Sequence, residues 1–254
     1  MLNSGTKSHR FLGLPGGRPR VWIDLSSAVS KRSGLSMHSP GRKVLRWAVK
    51  ILGWFAWLPV EKILRGPVKR FDELDGHEVI EKIVEGVSRS RTIEYLTFYM
   101  GNDSAKTKLT LLVGLSLGRE SKSSELIVKL GRTAEAAAAI KTEYAALKRL
   151  ESTSLCAQVP VVHGEVGGEG VWTWSVQSVL PKGKSPVRLQ KEHLEFLDEL
   201  KKVGLSHGDF APWNCSIVDG KLHVWDWEDA GIFEAGKDET WFMGQVKKLL
   251  GIDA

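Results

Sequence analysis

The pair Asp219-Gly220 lies between two short runs, Cys215-Ser216-Ile217-Val218 and Lys221-Leu222-His223-Val224. No other feature constrains the fold as tightly. An Asp-Gly pair suits the tight turn that joins two antiparallel strands, so the two runs are predicted to form a hairpin. The hairpin brings the chain back to where it began. It therefore carries Asp226, in Trp225-Asp226-Trp227-Glu228, to the side of Asn214. Asn214 ends the run His207-Gly208-Asp209-Phe210-Ala211-Pro212-Trp213-Asn214, five residues after Asp209. One local unit thus collects two carboxylates and an amide. Asp209 can accept a proton from an attacking hydroxyl. Asn214 and Asp226 offer oxygen atoms to a hard cation such as Mg²⁺, the usual companion of nucleotide phosphates.

These two motifs, with their spacing, resemble the aminoglycoside phosphotransferase and choline kinase branch of the protein-kinase-like superfamily. There the pattern is H-G-D followed by four residues and Asn, then a D-W-E-like motif, and both are complete here. The resemblance covers roughly residues 94–250. It implies an α+β, bilobal, protein-kinase-like fold. A five-stranded antiparallel N-lobe sheet would carry one main helix, and the C-lobe would be reduced and mostly helical. It also implies ATP and Mg²⁺ as cofactors, with Asp209 as the base and Asn214 and Asp226 on the metal.

Upstream, the hydropathy pattern predicts strands at 95–100, 109–113 and 125–130, then a helix over 133–150 with Thr133 as its N-cap. A hairpin of 159–166 and 171–179 around Gly167-Gly168-Glu169-Gly170 would complete the sheet. Lys129 sits among apolar residues of the third strand, a costly place for an ammonium unless it is paired or turned outward. Glu143 lies three residues after Ile140 and four before Leu147, on the helix face that docks. The resemblance implies that Lys129 contacts the α and β phosphates and pairs with a glutamate of the following helix, which selects Glu143. It also implies that the loop after the first strand, with Gly101 and Ser104, covers the phosphates. Backbone groups around Ser178 and Leu180, at the hinge, would meet the adenine edge. Ala211 stands where protein kinases carry a catalytic-loop lysine, so Lys106 or Lys108 would face the γ-phosphate instead.

Charge divides the chain unevenly. Residues 1–70 hold fourteen Lys/Arg against two acids, net +12, and residues 71–254 hold 22 against 28, net −6. The first segment is thus suited to an anionic partner. Residues 1–40, rich in Gly, Ser, Pro and Arg, are predicted to be loops or partly disordered, apart from a short strand at 20–25. Residues 42–59 read as a helix with Arg42, Lys43, Arg46 and Lys50 near one face and Trp47, Trp54, Phe55 and Trp57 among the rest. Such a helix either packs on the body of the protein or lies in a membrane interface. A second helix is predicted within 72–90, and others over 189–203 and from Asp238 as cap through Trp241, Val246, Leu249 and Leu250. Two cysteines, Cys156 and Cys215, form no C-x-x-C pair, which points to a reducing cytoplasm, with peripheral contact at the inner membrane face as an option.

Three segments follow: a basic extension (1–90), a kinase-like N-lobe (91–180) and a truncated C-lobe (181–254). The lower lobe is short, with 26 residues between hinge and His207 and 26 after Glu228. Kinases of this kind usually build substrate-binding helices in those places. The expected activity is transfer of the ATP γ-phosphate to a hydroxyl of a small molecule, sugar or glycan. The alternative is a catalytically inactive, nucleotide-binding pseudokinase or scaffold, which the missing helices favour and the complete set Lys129, Glu143, Asp209, Asn214 and Asp226 disfavours. No nucleic-acid-binding motif accompanies the basic segment.

Overall fold

A computed structural model describes residues 9–14, 21–37, 51, 53–55, 57, 59, 62, 64, 66–74, 76–88, 92–100, 106–116 and 124–251. The chain divides into two compact units. The first comprises Met1–Thr133 with Glu169–Trp172, the second Ala134–Gly168 with Thr173–Ala254. Among the described residues no helix is long and apolar enough to cross a membrane.

The first unit is built on strands β1 (Arg10–Gly13), β2 (Val21–Asp24), β3 (Val68–Arg70), β4 (Thr92–Met100), β5 (Lys108–Ser116) and β6 (Ser124–Gly131), in the order β3-β1-β2-β4-β5-β6. All five pairings are antiparallel, with Thr97 opposite Leu112 and Thr110 opposite Lys129. With β7 (Gly167–Glu169) and β8 (Trp172–Ser178), the sheet counts eight strands among the described residues, not the five expected. The surplus comes from the basic segment, where β1, β2 and β3 arise. The expected strand at 159–166 contributes only an isolated bridge, Val162 to Gln177, and part of the expected Gly-rich turn is β7 itself.

Helix α1 (Ala28–Met37) also forms where loops were expected. Three serines, a valine and Gly34 interrupt its good helix formers, so the helix leans on capping and packing. Ser27 caps it, Oγ accepting the Ser30 N–H at 3.0 Å. Gly34 lets it lie against β2, since a Cβ there would come within 2.6 Å of Ile23 Cγ2. The buried Asp24 fastens the approach by accepting the Ser26 N–H and hydroxyl, both at 2.9 Å, with His9 Nδ1 at 3.0 Å. Helix α2 (His77–Ser88) falls within its expected range and buries Val79, Ile80, Ile83 and Val84. Residues Gly101 and Ser104 of the expected phosphate loop, and most of the helix expected at 42–59, lie outside the described residues.

The second unit holds α3 (Ala134–Glu151), α4 (Lys191–Val203), the strand pair β9 (Leu205–Ser206) and β12 (Gly231–Ile232), the hairpin β10 (Cys215–Val218) and β11 (Lys221–Val224), and α5 (Lys237–Leu250). The hairpin forms as its sequence requires. Asp219 and Gly220 both take positive φ, 51° and 75°, and Cys215 pairs with Val224. One apolar core joins Leu147, Phe196, Phe210, Val224, Trp227 and Phe242, drawn from α3, α4, the loop, the hairpin and α5. Phe210 and Trp227 have no exposed surface, so the loop 207–214 and the segment after β11 are each pinned by a large aromatic side chain.

Helix α5 faces the core differently from expectation. Trp241, Leu249 and Leu250 are exposed, while Asp238, Phe242, Gln245 and Val246 are buried. Its N-cap is Gly236, and Asp238 lies in the first turn with another task.

Candidate active site

The site is assembled by short-range hydrogen bonds that fix the loop first and the carboxylates second. Asn214 donates its Nδ2 to the Asp209 carbonyl at 3.0 Å and to Asp209 Oδ2 at 2.8 Å. Both amide hydrogens are thereby engaged, which leaves Oδ1 as the oxygen Asn214 can offer. The Asn214 backbone N–H closes a turn onto Ala211 O at 2.9 Å, and its carbonyl accepts the Trp225 N–H at 3.0 Å. The last bond brings the residue before Asp226 to Asn214, as the hairpin requires.

Asp226 has φ of 68°. A non-glycine residue in this region is uncommon, and such strain gathers at functional sites. The segment around it is held from three sides. The Trp225 carbonyl lies 3.1 Å from His207 Nε2. The Trp227 N–H donates to Glu143 Oε1 at 3.3 Å. The Trp227 ring packs tilted against that of His207, with centroids 4.5 Å apart. The carbonyl can only accept, so the buried His207 carries its hydrogen on Nε2. Burial also pulls the His207 pKa below its ordinary value of 6.5, against the pull of Asp238. The ring is therefore a neutral strut for the loop.

The backbone of His207 and Gly208 is tied to α5. The carboxylate of Asp238 accepts both N–H groups, from His207 at 2.8 Å and from Gly208 at 2.9 Å. Gly208 has φ of 85°, and a Cβ on it would fall 1.9 Å from the Asp229 carbonyl oxygen, so glycine alone fits.

Asp209 is the half-buried carboxylate at the centre. Burial raises its pKa above the ordinary 3.8, while hydrogen bonds from Trp241 and Asn214 work the other way. Trp241 Nε1 donates to Oδ1 at 2.5 Å. A carboxylate with raised basicity suits a general base.

Of the residues singled out in the sequence, Asp209, Asn214, Asp226 and Glu143 fall within one hydrogen-bonded cluster or beside it. Lys129 lies on β6 in the first unit, 8% exposed. Ser178 and Leu180 follow β8, but Ser178 exchanges two hydrogen bonds with Val161, its N–H to the carbonyl at 2.8 Å and its Oγ accepting at 2.9 Å. The Ser178 N–H is therefore already engaged. Sequence reasoning missed Asp238 and Trp241. The usable signal was the spacing of Asp238, Phe242, Gln245 and Val246, which marks the buried face of α5 and turns Trp241 off it.

Among the described residues no group of three or more His, Cys, Asp and Glu side chains gathers as a metal cluster. The donor set here is one carboxylate, Asp226, and one amide oxygen, that of Asn214. So small a set fits Mg²⁺, which keeps several waters and takes much of its shell from substrate phosphates.

No family model matches the chain, and no curated protein matches it in sequence. Several solved structures are similar to it at low identity. APH(2")-IIa in a ternary complex with streptomycin and ATP shares 14% identity at a TM-score of 0.47, over 71% of this chain and 84% of that one. Amicoumacin kinase hAmiN, in complex with AMP-PNP and Ca²⁺, shares 12% at 0.45, over 71% and 72%. A thermostable mutant of the aminoglycoside phosphotransferase APH(4)-Ia shares 12% at 0.44, over 67% and 81%. With TM-scores below 0.5, these likenesses assign no chemistry, and the functional reading rests on the geometry around Asp209.

Proposed function

We propose that the chain is an ATP-dependent phosphotransferase that acts on a hydroxyl group of a small molecule, sugar or glycan. The observation that carries this reading is the Asp209–Asn214 pair. Asn214 fixes one carboxylate oxygen of Asp209 at 2.8 Å, and its own remaining oxygen is left for a cation. Asp209 takes the proton of the acceptor hydroxyl as that oxygen attacks the γ-phosphorus. Asn214 and Asp226 would hold Mg²⁺, which when bound supplies charge neutralisation on the phosphates. His207, Asp238 and Glu143 keep the loop and the Asp226 segment in place. Positioning and electrostatics supply most of the catalysis in such a transfer.

Lys129 is assigned to the α and β phosphates, and its pairing with Glu143 is a proposal carried by the sequence. We likewise assign Gly101 and Ser104 to the phosphates and the backbone around Ser178 and Leu180 to the adenine edge.

The test is γ-phosphate transfer from labelled Mg·ATP into small-molecule and glycan extracts, with wild type beside Asp209→Asn. Labelled product from wild type alone supports the reading. ATP binding with equally negligible turnover in both proteins would instead make the chain a scaffold.

A surface of the first unit supports a partner proposal as well. Trp54 is 78% exposed, Trp57 70% and Phe55 46%, in a segment of net positive charge. Exposed indoles in a segment whose sequence is basic suit the interface of an anionic bilayer, where they sink to headgroup depth. Co-sedimentation with phosphatidylglycerol vesicles tests this. Wild type should bind and a Trp54→Ser/Trp57→Ser variant should not. Equal binding by the two, or none by either, refutes it.

A further inference from the structure

Both carboxylate oxygens of Asp209 already hold a hydrogen-bond donor. Asn214 Nδ2 occupies Oδ2 at 2.8 Å, and Trp241 Nε1 occupies Oδ1 at 2.5 Å. The two bonds differ in kind. Asn214 belongs to the same loop, five residues on. Trp241 reaches in from α5, 32 residues away. Core packing does not account for its place, because it is 43% exposed and lies off the buried face of its helix. The ammonium of Lys248 stands 5.9 Å from its ring centroid, on the same helix. An indole N–H can only donate, so Trp241 can neither take the acceptor's proton nor bind a cation through nitrogen.

A hydroxyl that is to lose its proton to Asp209 must direct its O–H at a carboxylate oxygen within hydrogen-bond reach. The bond at Oδ2 comes from the loop itself and the bond at Oδ1 from a separate helix, so the bond at Oδ1 is the one an acceptor can exchange. We propose that Trp241 is a positioning and specificity-determining residue. Its indole N–H latches Asp209 Oδ1, and an acceptor reaches the base by displacing that latch. Such a latch discriminates. An acceptor with binding energy of its own can displace the indole, whereas a lone water molecule competes poorly. This inference rests on the phosphotransferase reading above and adds to it a reason why ATP is not wasted on solvent.

The reaction with water makes it measurable without knowing the acceptor. The water oxygen forms a bond to the γ-phosphorus, and the bond from that phosphorus to the β–γ bridging oxygen breaks, its electron pair leaving on ADP. The proton of the water passes to Asp209 and then to solvent, and the products are ADP and inorganic phosphate.

The experiment measures ADP release from Mg·ATP, without acceptor, for wild type, Trp241→Phe, Trp241→Leu, Asp209→Asn and the double variant Trp241→Phe/Asp209→Asn. Mg·ATP affinity and urea midpoints are measured alongside. The expected result is a rise of about fivefold or more in Trp241→Phe and Trp241→Leu, the worth of one hydrogen bond. Mg·ATP affinity should be unchanged, and the double variant should fall to the level of Asp209→Asn. Trp241→His, which restores a ring N–H, should bring the rate back down. A merely structural tryptophan would lower the rate when replaced. Hydrolysis in the Trp241 variants equal to or below wild type, with wild type still above Asp209→Asn, overturns the latch and leaves the phosphotransferase reading standing. Equal hydrolysis by wild type and Asp209→Asn overturns both.

Discussion

Replacing Asp238 by alanine is the most informative change that leaves every proposed ligand-contacting residue in place. Two backbone N–H groups, of His207 at 2.8 Å and Gly208 at 2.9 Å, would lose their acceptor together. The first bond is buried and the second partly buried. Bonds to a charged acceptor contribute about 1.5–3 kcal/mol each, and a buried donor left without a partner loses most of that. The His207 group, shut away from water, should account for about 2–3 kcal/mol. The Gly208 group can recruit water, which limits its share to about 1–1.5 kcal/mol. The sum, about 3–4.5 kcal/mol, is a large part of the stability of an ordinary domain. Urea unfolding followed by circular dichroism would read it as a lower midpoint at unchanged slope. Asp238→Asn keeps one acceptor oxygen and should lose about half as much. Mg·ATP turnover should fall further than stability alone explains, because the loop that carries Asp209 loses its anchor. A loss below about 1 kcal/mol, or full turnover in the alanine variant, would refute the reasoning.

Gly208→Ala should destabilise by more than about 3 kcal/mol in the same assay, since it adds the left-handed penalty of about 1–2 kcal/mol to a clash with the Asp229 backbone. A wild-type midpoint would show that the loop is set in some other way. Asp226→Asn should keep the fold, because asparagine tolerates φ of 68°, yet lower phosphotransfer at least about a hundredfold through loss of the metal carboxylate. Retained Mg²⁺-dependent turnover would remove Asp226 from the metal site. Acid should weaken the second unit, because burial holds the pKa of both His207 and His193 below the ordinary 6.5. The unfolded chain then takes up protons that the folded one refuses, so stability is full above pH 6.5 and falls as pH drops below it. Each histidine contributes a slope of at most about 1.4 kcal/mol per pH unit. Urea unfolding at pH 7, 6 and 5 checks the sign, and stability that is flat or rising toward pH 5 would contradict it.

The parts legible in the sequence are those that local chemistry decides. Asp219-Gly220 sets a hairpin whatever lies around it, and the hairpin sets Asp226 beside Asn214. The five-residue step from Asp209 to Asn214 lets one side chain reach the other directly. Helix α3 is alanine-rich and was placed within one residue at each end. What escaped is what tertiary packing decides. Strand β1 has four residues, and α1 is interrupted by three serines and a glycine, so neither carries a strong local signal. They exist because β2, Asp24 and Ile23 give them something to pair with, cap on or pack against. Asp238 and Trp241 escaped for a related reason. Their partners lie about thirty residues back in the chain, and an acid followed by apolar residues reads first as a helix cap.

The anchoring of His207 and Gly208 by a carboxylate thirty residues downstream also has a consequence in time. During synthesis the loop emerges from the ribosome before its anchor does, with two backbone donors still without their acceptor. The sequence motif is then complete while the site is not. A chain that stops short of residue 238 carries every proposed catalytic residue but lacks the carboxylate that ties the backbone of His207 and Gly208 to α5.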